Sequence, residues 1–164
     1  MNRTKRITYL TMLAALAVVI NVVENLFIPP LTFGIRFGLA NIISLITIKL
    51  FGIKELTFVL LLRIFVSNLI KGTIFGTPFW ISTSGVVLSA IVIIVLDKLK
   101  ASLLFTSMLS AIAHSFGQML AIVFLYNQIN VASILPILII SSLATGVLTG
   151  LISNLVLNRI RINT

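Results

Sequence analysis

The sequence predicts an all-α polytopic membrane protein, a single integral membrane domain of six transmembrane helices over residues 1–164. Three observations carry this. Of its 164 residues, 59% are hydrophobic and only 9% charged, where a soluble domain is about a quarter charged. The mean hydropathy is +1.23, and apolar runs of membrane-spanning length recur along the chain. Lys and Arg number 12 against 3 Asp and Glu, for a net charge of +9. These basic residues sit at the ends of apolar runs instead of on one face, which fits retention of cations in cytoplasmic loops and argues against nucleic acid. With no cysteine in the chain, disulfides, thiolate metal sites and cysteine nucleophiles are excluded.

The first span is placed at 7–28. The preceding Asn2-Arg3-Thr4-Lys5-Arg6 resembles the start of a signal peptide. The apolar run continues for about twenty residues without a small-residue cleavage site, however, and reads as a helix that stays in the membrane. Pro29, Pro30 and Gly34 break it. The second and third spans, 37–51 and 55–70, are short and separated by Gly52. The fourth, 79–96, follows a turn from Gly72 to Pro78, and Asp97-Lys98 ends it. The fifth and sixth occupy 103–125 and 133–157, divided at Tyr126-Asn127-Gln128. Six spans put both termini on one side. That side receives Arg3, Lys5, Arg6, Lys49, Lys54, Lys98, Lys100, Arg159 and Arg161, against only Arg36 and Lys71 on the other. The asymmetry predicts cytoplasmic termini and a multi-pass protein of the cell membrane.

Polar residues inside the spans are costly and usually face a bundle interior or a wet cavity. Asn21, Glu24 and Asn25 share one face of the first span, by spacings of three and four. Arg63, Ser67 and Lys71 share a face of the third, beside Asn68. Ser110, His114 and Gln118 share one in the fifth. Asn41 opens the second, and Trp80, Ser82, Thr83 and Ser84 open the fourth. By helical rise most of these fall in the outer half, with Arg63 and His114 near mid-depth as a floor. The inner half reads as almost purely apolar. The candidate substrate-binding set is therefore Asn21, Glu24, Asn25, Arg36, Asn41, Arg63, Asn68, Lys71, Trp80, His114 and Gln118. Each also has a plainer reading. Glu24 and Arg63 can neutralise each other, His114 and Gln118 can join helices, and the asparagines can be packing contacts. Trp80 can anchor at the interface, and Arg36 and Lys71 can be flanking charges. In the last span Gly146-x-x-x-Gly150 allows close helix approach. Thr11, Ala14, Ala15 and Ala17 leave part of the first span smooth, and Thr11, Ala14 and Ala15 are its candidate partner-docking residues.

The blocks Gly34-Ile35-Arg36-Phe37-Gly38-Leu39-Ala40-Asn41, Leu61-Leu62-Arg63 and Ala113-His114-Ser115-Phe116-Gly117-Gln118 resemble, in this order, those of the Gx transporter family, also called heptaprenyl diphosphate synthase component I. In layout the family is similar to the substrate-binding S components of energy-coupling factor (ECF) transporters. The resemblance covers essentially the whole chain. It implies an S-component-like six-helix bundle, with ligand held in the outer half by the first loop and the ends of later helices. It also implies docking on a membrane coupling subunit through an alanine-x-x-x-alanine pattern, to which Thr11-x-x-x-Ala15 is only an approximation.

These readings converge on a subunit that is not an enzyme and captures a small anionic or zwitterionic molecule for ECF-type uptake. No phosphate-binding loop is present, so ATP would have to be hydrolysed by partner ATPases; no cofactor is expected on this chain. One alternative is a non-catalytic membrane subunit for isoprenoid or menaquinone synthesis, bound to a prenyl synthase. The three acids, Glu24, Glu55 and Asp97, are isolated, and prenyl condensation needs grouped carboxylates for Mg²⁺. A further alternative is a proton-coupled carrier using Glu24 and His114. The apolar inner half and the lack of a detectable inverted repeat weigh against it.

Overall fold

The structure, a computed structural model, describes residues 3–27, 39–127, 133 and 135–162, with backbone alone at 25–27, 161 and 162. Among the described residues there are six helices: α1 (Arg3–Phe27), α2 (Asn41–Phe51), α3 (Ile53–Ile70), α4 (Thr77–Lys98), α5 (Leu103–Tyr126) and α6 (Leu135–Ile162). Four stretches are long and apolar enough to cross a membrane: Arg3–Glu24, Thr77–Lys98, Leu103–Tyr126 and Leu135–Ile160. The chain is thus a helical membrane protein. The other two helices differ in kind. α3 has 18 residues but carries Lys54, Glu55 and Arg63. α2 has only 11, about 16 Å of rise, roughly half a hydrocarbon core. The apolar run 37–51 predicts a longer second helix. The structure instead places a turn at Leu39 and Ala40, and α2 starts at Asn41.

Local chemistry sets the ends. Gly52, at φ 100°, takes a backbone conformation open to glycine and turns α2 directly into α3. Pro78 lies in the first turn of α4, where its missing N–H costs nothing. Ser102 caps α5 by accepting from the Phe105 N–H at 3.3 Å. Asn127 closes α5 in the left-handed region, at φ 52°.

α2 packs against each of the other five helices, which follow one another around it in the order α1, α3, α4, α5, α6. Among the described residues α1 and α6 do not touch. Seven of the eleven α2 residues are buried, as a central helix requires. Leu45 and Ile48 of α2 meet Leu56, Leu60 and Ile64 of α3 and Phe79, Val86 and Ile93 of α4 in one apolar cluster. Ile43 and Val59 meet Ala14 and Ala17 of α1 in another. Outward residues such as Leu16, Leu61, Ile91, Phe124, Ile140 and Leu155 are large, apolar and exposed, as expected of a lipid-facing surface.

Polar pairs identify the two ends of the bundle. Arg6 pairs with Glu55, and Lys49 with Asp97 at 2.5 Å. These join the start of α1 to that of α3, and the end of α2 to that of α4. At the opposite end Lys71 Nζ donates to Asn21 Oδ1 at 2.7 Å, and Tyr126 Oη donates to Thr77 Oγ1 at 3.3 Å. Lipid offers little hydrophobic drive between helices, so small residues and interhelical hydrogen bonds must hold them. Between α4 and α5, a Cβ added at Gly117 would lie 2.7 Å from the Ser84 carbonyl oxygen, and Ser84 Oγ donates to the Gly117 carbonyl at 2.8 Å. Between α5 and α6, a Cβ on Gly146 would lie 2.7 Å from Met108 Cα. Ser107 Oγ donates to the Gly146 carbonyl at 2.7 Å, and Ser115 shares a 2.5 Å hydrogen bond with Ser142. The close approach expected of Gly146 and Gly150 is made with α5.

One expectation is corrected. The half of the bundle that holds the termini is not almost purely apolar: Ser44, Thr47, Ser89, Thr106, Ser107, Ser110, Thr149 and Ser153 are buried there. Most of these hydroxyls bond to carbonyls of their own helix. Thr47 donates to Ile43, Thr106 to Ser102 and Ser153 to Thr149. That removes their polarity from the interior without the interruption a charge would make.

Candidate functional site

The start of α2 faces a narrow cavity of about 10 Å³, lined by Asn21 and Glu24 of α1, Ala40, Asn41 of α2, Arg63 of α3, Ser82 and Val86 of α4, and His114 of α5. That is about the room of one water molecule. Arg63 lies eight residues along α3 from Glu55, and Asn41 eight residues along α2 from Lys49, each about 12 Å from the charged end. His114 lies eleven residues, about 16 Å, into α5. The cavity therefore includes groups from the middle of the bundle.

Four polar groups here are almost fully buried: Glu24 at 4% exposure, Asn41 at 3%, Arg63 at 2% and His114 at 6%. Burying one ion alone costs several kcal/mol, so formal charges of opposite sign lining one small cavity offset each other. Gln118, one turn after His114, is hydrogen-bonded to its Nε2 at 3.2 Å and orients the ring from behind. Gly85 makes room for both. A Cβ there would lie 2.7 Å from Gln118 Cγ and 3.1 Å from His114 Cε1. Asn41 Nδ2 meets no acceptor among the described residues, and the preceding Ala40 supplies no side-chain cap to α2.

Five of the residues singled out from sequence thus come together: Asn21, Glu24, Asn41, Arg63 and His114. Lys71 stands beside them, held on Asn21. Gln118 supports the wall without forming it. Asn68 is elsewhere: its Nδ2 donates to the Ile64 carbonyl at 2.8 Å and its Oδ1 accepts from Thr73 at 3.0 Å, which ties down the end of α3. Trp80 is also elsewhere. It is 50% exposed, stands edge-on to Phe79 at 5.3 Å, and borders an outward apolar groove with Leu120 and Phe124. The Asn25 side chain and Arg36 lie outside the described residues. Ser82, Ala40, Val86 and Gly85 join the site without having been singled out for it. Ser82 had a signal as a hydroxyl opening the fourth span, and Ala40 as part of the block that ends at Asn41.

The smooth face of α1 is narrower than its composition suggests. Ala14 and Ala17 are buried against Ile43 and Val59, so Ala14 packs inside the bundle. Thr11 and Ala15 are exposed, and the Thr11 hydroxyl is spent on the Ile7 carbonyl.

The three carboxylates stay apart. Glu55 and Asp97 pair with cations at the charged end, and Glu24 lines the cavity. Among the described residues no three His, Cys, Asp or Glu side chains gather as a metal site would require.

The family model for heptaprenyl diphosphate synthase component I matches residues 13–156. Neither the curated proteins nor the solved structures give a match.

Proposed function

The chain belongs to the heptaprenyl diphosphate synthase component I family, and from that premise we propose that it is a membrane-embedded capture subunit. It binds a small anionic or zwitterionic molecule from the face opposite the two termini and works with a coupling subunit and ATPases in ECF-type uptake. In this reading all six helices lie in the membrane, with the short α2 sheltered by its neighbours and both termini cytoplasmic. The observation that carries it is the convergence of Asn21, Glu24, Asn41, Arg63 and His114, from four helices, on one buried cavity. Intramembrane ionisable groups mark ligand sites more often than they serve packing alone. Energy would enter when partners reorient the subunit, and Thr11 and Ala15 are the exposed members of the candidate docking set.

The family's name favours a second reading, a membrane subunit that assists a prenyl synthase. The separation of Glu24, Glu55 and Asp97 argues that such a role would be non-catalytic, because diphosphate chemistry calls for carboxylates that share Mg²⁺. Mass spectrometry of the purified protein separates the two. A retained small molecule that is lost in Arg63→Ala supports capture. An empty protein with a bound prenyl synthase supports the second reading.

A further inference from the structure

We propose that the cavity seats the carboxylate of a monocarboxylic or zwitterionic molecule on the N-terminus of α2, between Asn41 and Arg63, and that it does not accept a diphosphate. This rests on the capture reading above and names its ligand class.

Three observations support it. A helix N-terminus carries roughly half a positive charge and attracts anions. That of α2 borders the cavity through Ala40 and Asn41; it has no side-chain cap from Ala40, and the Ile42 N–H is taken by the Leu39 carbonyl at 3.1 Å. Asn41, the first residue of the helix, is 3% exposed, lines the cavity, and offers an Nδ2 that meets no acceptor among the described residues. A buried donor is nearly always matched, and a ligand oxygen would match this one.

Charge then narrows the class. Among the described residues that line the cavity, Arg63 and Glu24 carry opposite formal charges, so with the helix end and a neutral His114 their sum is about half a positive charge. Lys71, held on Asn21 at 2.7 Å, adds one more at the edge. That suits a single negative charge and falls short of the several on a diphosphate. Glu24 also gives an ammonium group a partner, which extends the class to zwitterions. The space is about 10 Å³, the room of one water, so admitting a carboxylate already requires the lining to part, and a tetrahedral phosphate, being larger, requires more.

The test is thermal unfolding of the full chain in lipid nanodiscs, with sodium acetate, sodium pyrophosphate or sodium chloride at matched ionic strength. Acetate should raise Tm saturably above chloride, and pyrophosphate should do no more than chloride. Asn41→Asp, nearly isosteric but with a negative oxygen in place of the donor, should weaken the apparent acetate affinity by about tenfold or more. Asn41→Ser, uncharged and shorter, carries the same expectation and guards against misfolding of the first variant. A larger shift with pyrophosphate than with acetate, no shift with acetate, or an undiminished acetate response in both variants would overturn the assignment. The parent reading fails differently. A retained ligand without a carboxylate, lost in Arg63→Ala, would sink this inference and leave capture standing. An empty protein bound to a prenyl synthase would remove both.

Discussion

The two ends of the bundle use the same residue types for different purposes. At the end that holds the termini, Arg6 with Glu55 and Lys49 with Asp97 are partly exposed ion pairs. Pairs of that kind contribute about 0–1 kcal/mol each; they mark helix register more than they hold it. In the cavity Glu24 and Arg63 are buried together among polar side chains, where each ion would be costly without compensation. Depth, not residue identity, separates a topology signal from a candidate binding site.

The largest effect should come from unbalancing the cavity. Arg63→Met leaves the Glu24 carboxylate buried without that offsetting charge. It should cost about 3–5 kcal/mol in a reversible unfolding assay, and Glu24→Gln in the same chain should recover much of the loss. Additive losses in the double variant would show that the two charges do not compensate each other.

Glycine substitutions sharpen the comparison at the next level. Gly85→Ala and Gly146→Ala each force a Cβ within 2.7 Å of a heavy atom, so each should cost about 1–3 kcal/mol. Only Gly85→Ala presses on Gln118 and His114. It alone should also change the retained ligand, measured by mass spectrometry at equal folded fraction. A change caused equally by Gly146→Ala would mean that general loosening, not the cavity wall, is being read.

The smallest effect belongs to the charged end. Asp97→Asn should shift unfolding by less than about 1 kcal/mol and leave ligand retention intact. A loss comparable to that of Arg63→Met would erase the distinction between the ends.

Much of this was legible in the sequence. Helix positions followed from apolar runs and their breaks, because glycine, proline and Asp97-Lys98 interrupt them at the right places. The start of α2 was not legible: Phe37 to Ala40 continue the apolar pattern, and only the fold places a turn at Leu39 and Ala40. Spacing put Arg63, Ser67 and Lys71 on one face. It could not show that Ser67 is buried without lining the cavity, or that Asn68 is bound to Ile64 and Thr73. Gly85 carried no pattern of its own, since its role depends on Gln118 and His114 arriving from another helix. The interior hydroxyls were hidden because single Ser and Thr residues scarcely disturb hydropathy.

The most direct test of the central claim is native mass spectrometry of the wild-type protein, Asn41→Asp and Asp97→Asn, purified side by side from the same membranes. The cavity account predicts one small-molecule mass on wild type and Asp97→Asn, and its loss from Asn41→Asp. The same mass on all three proteins, or on none, would contradict it.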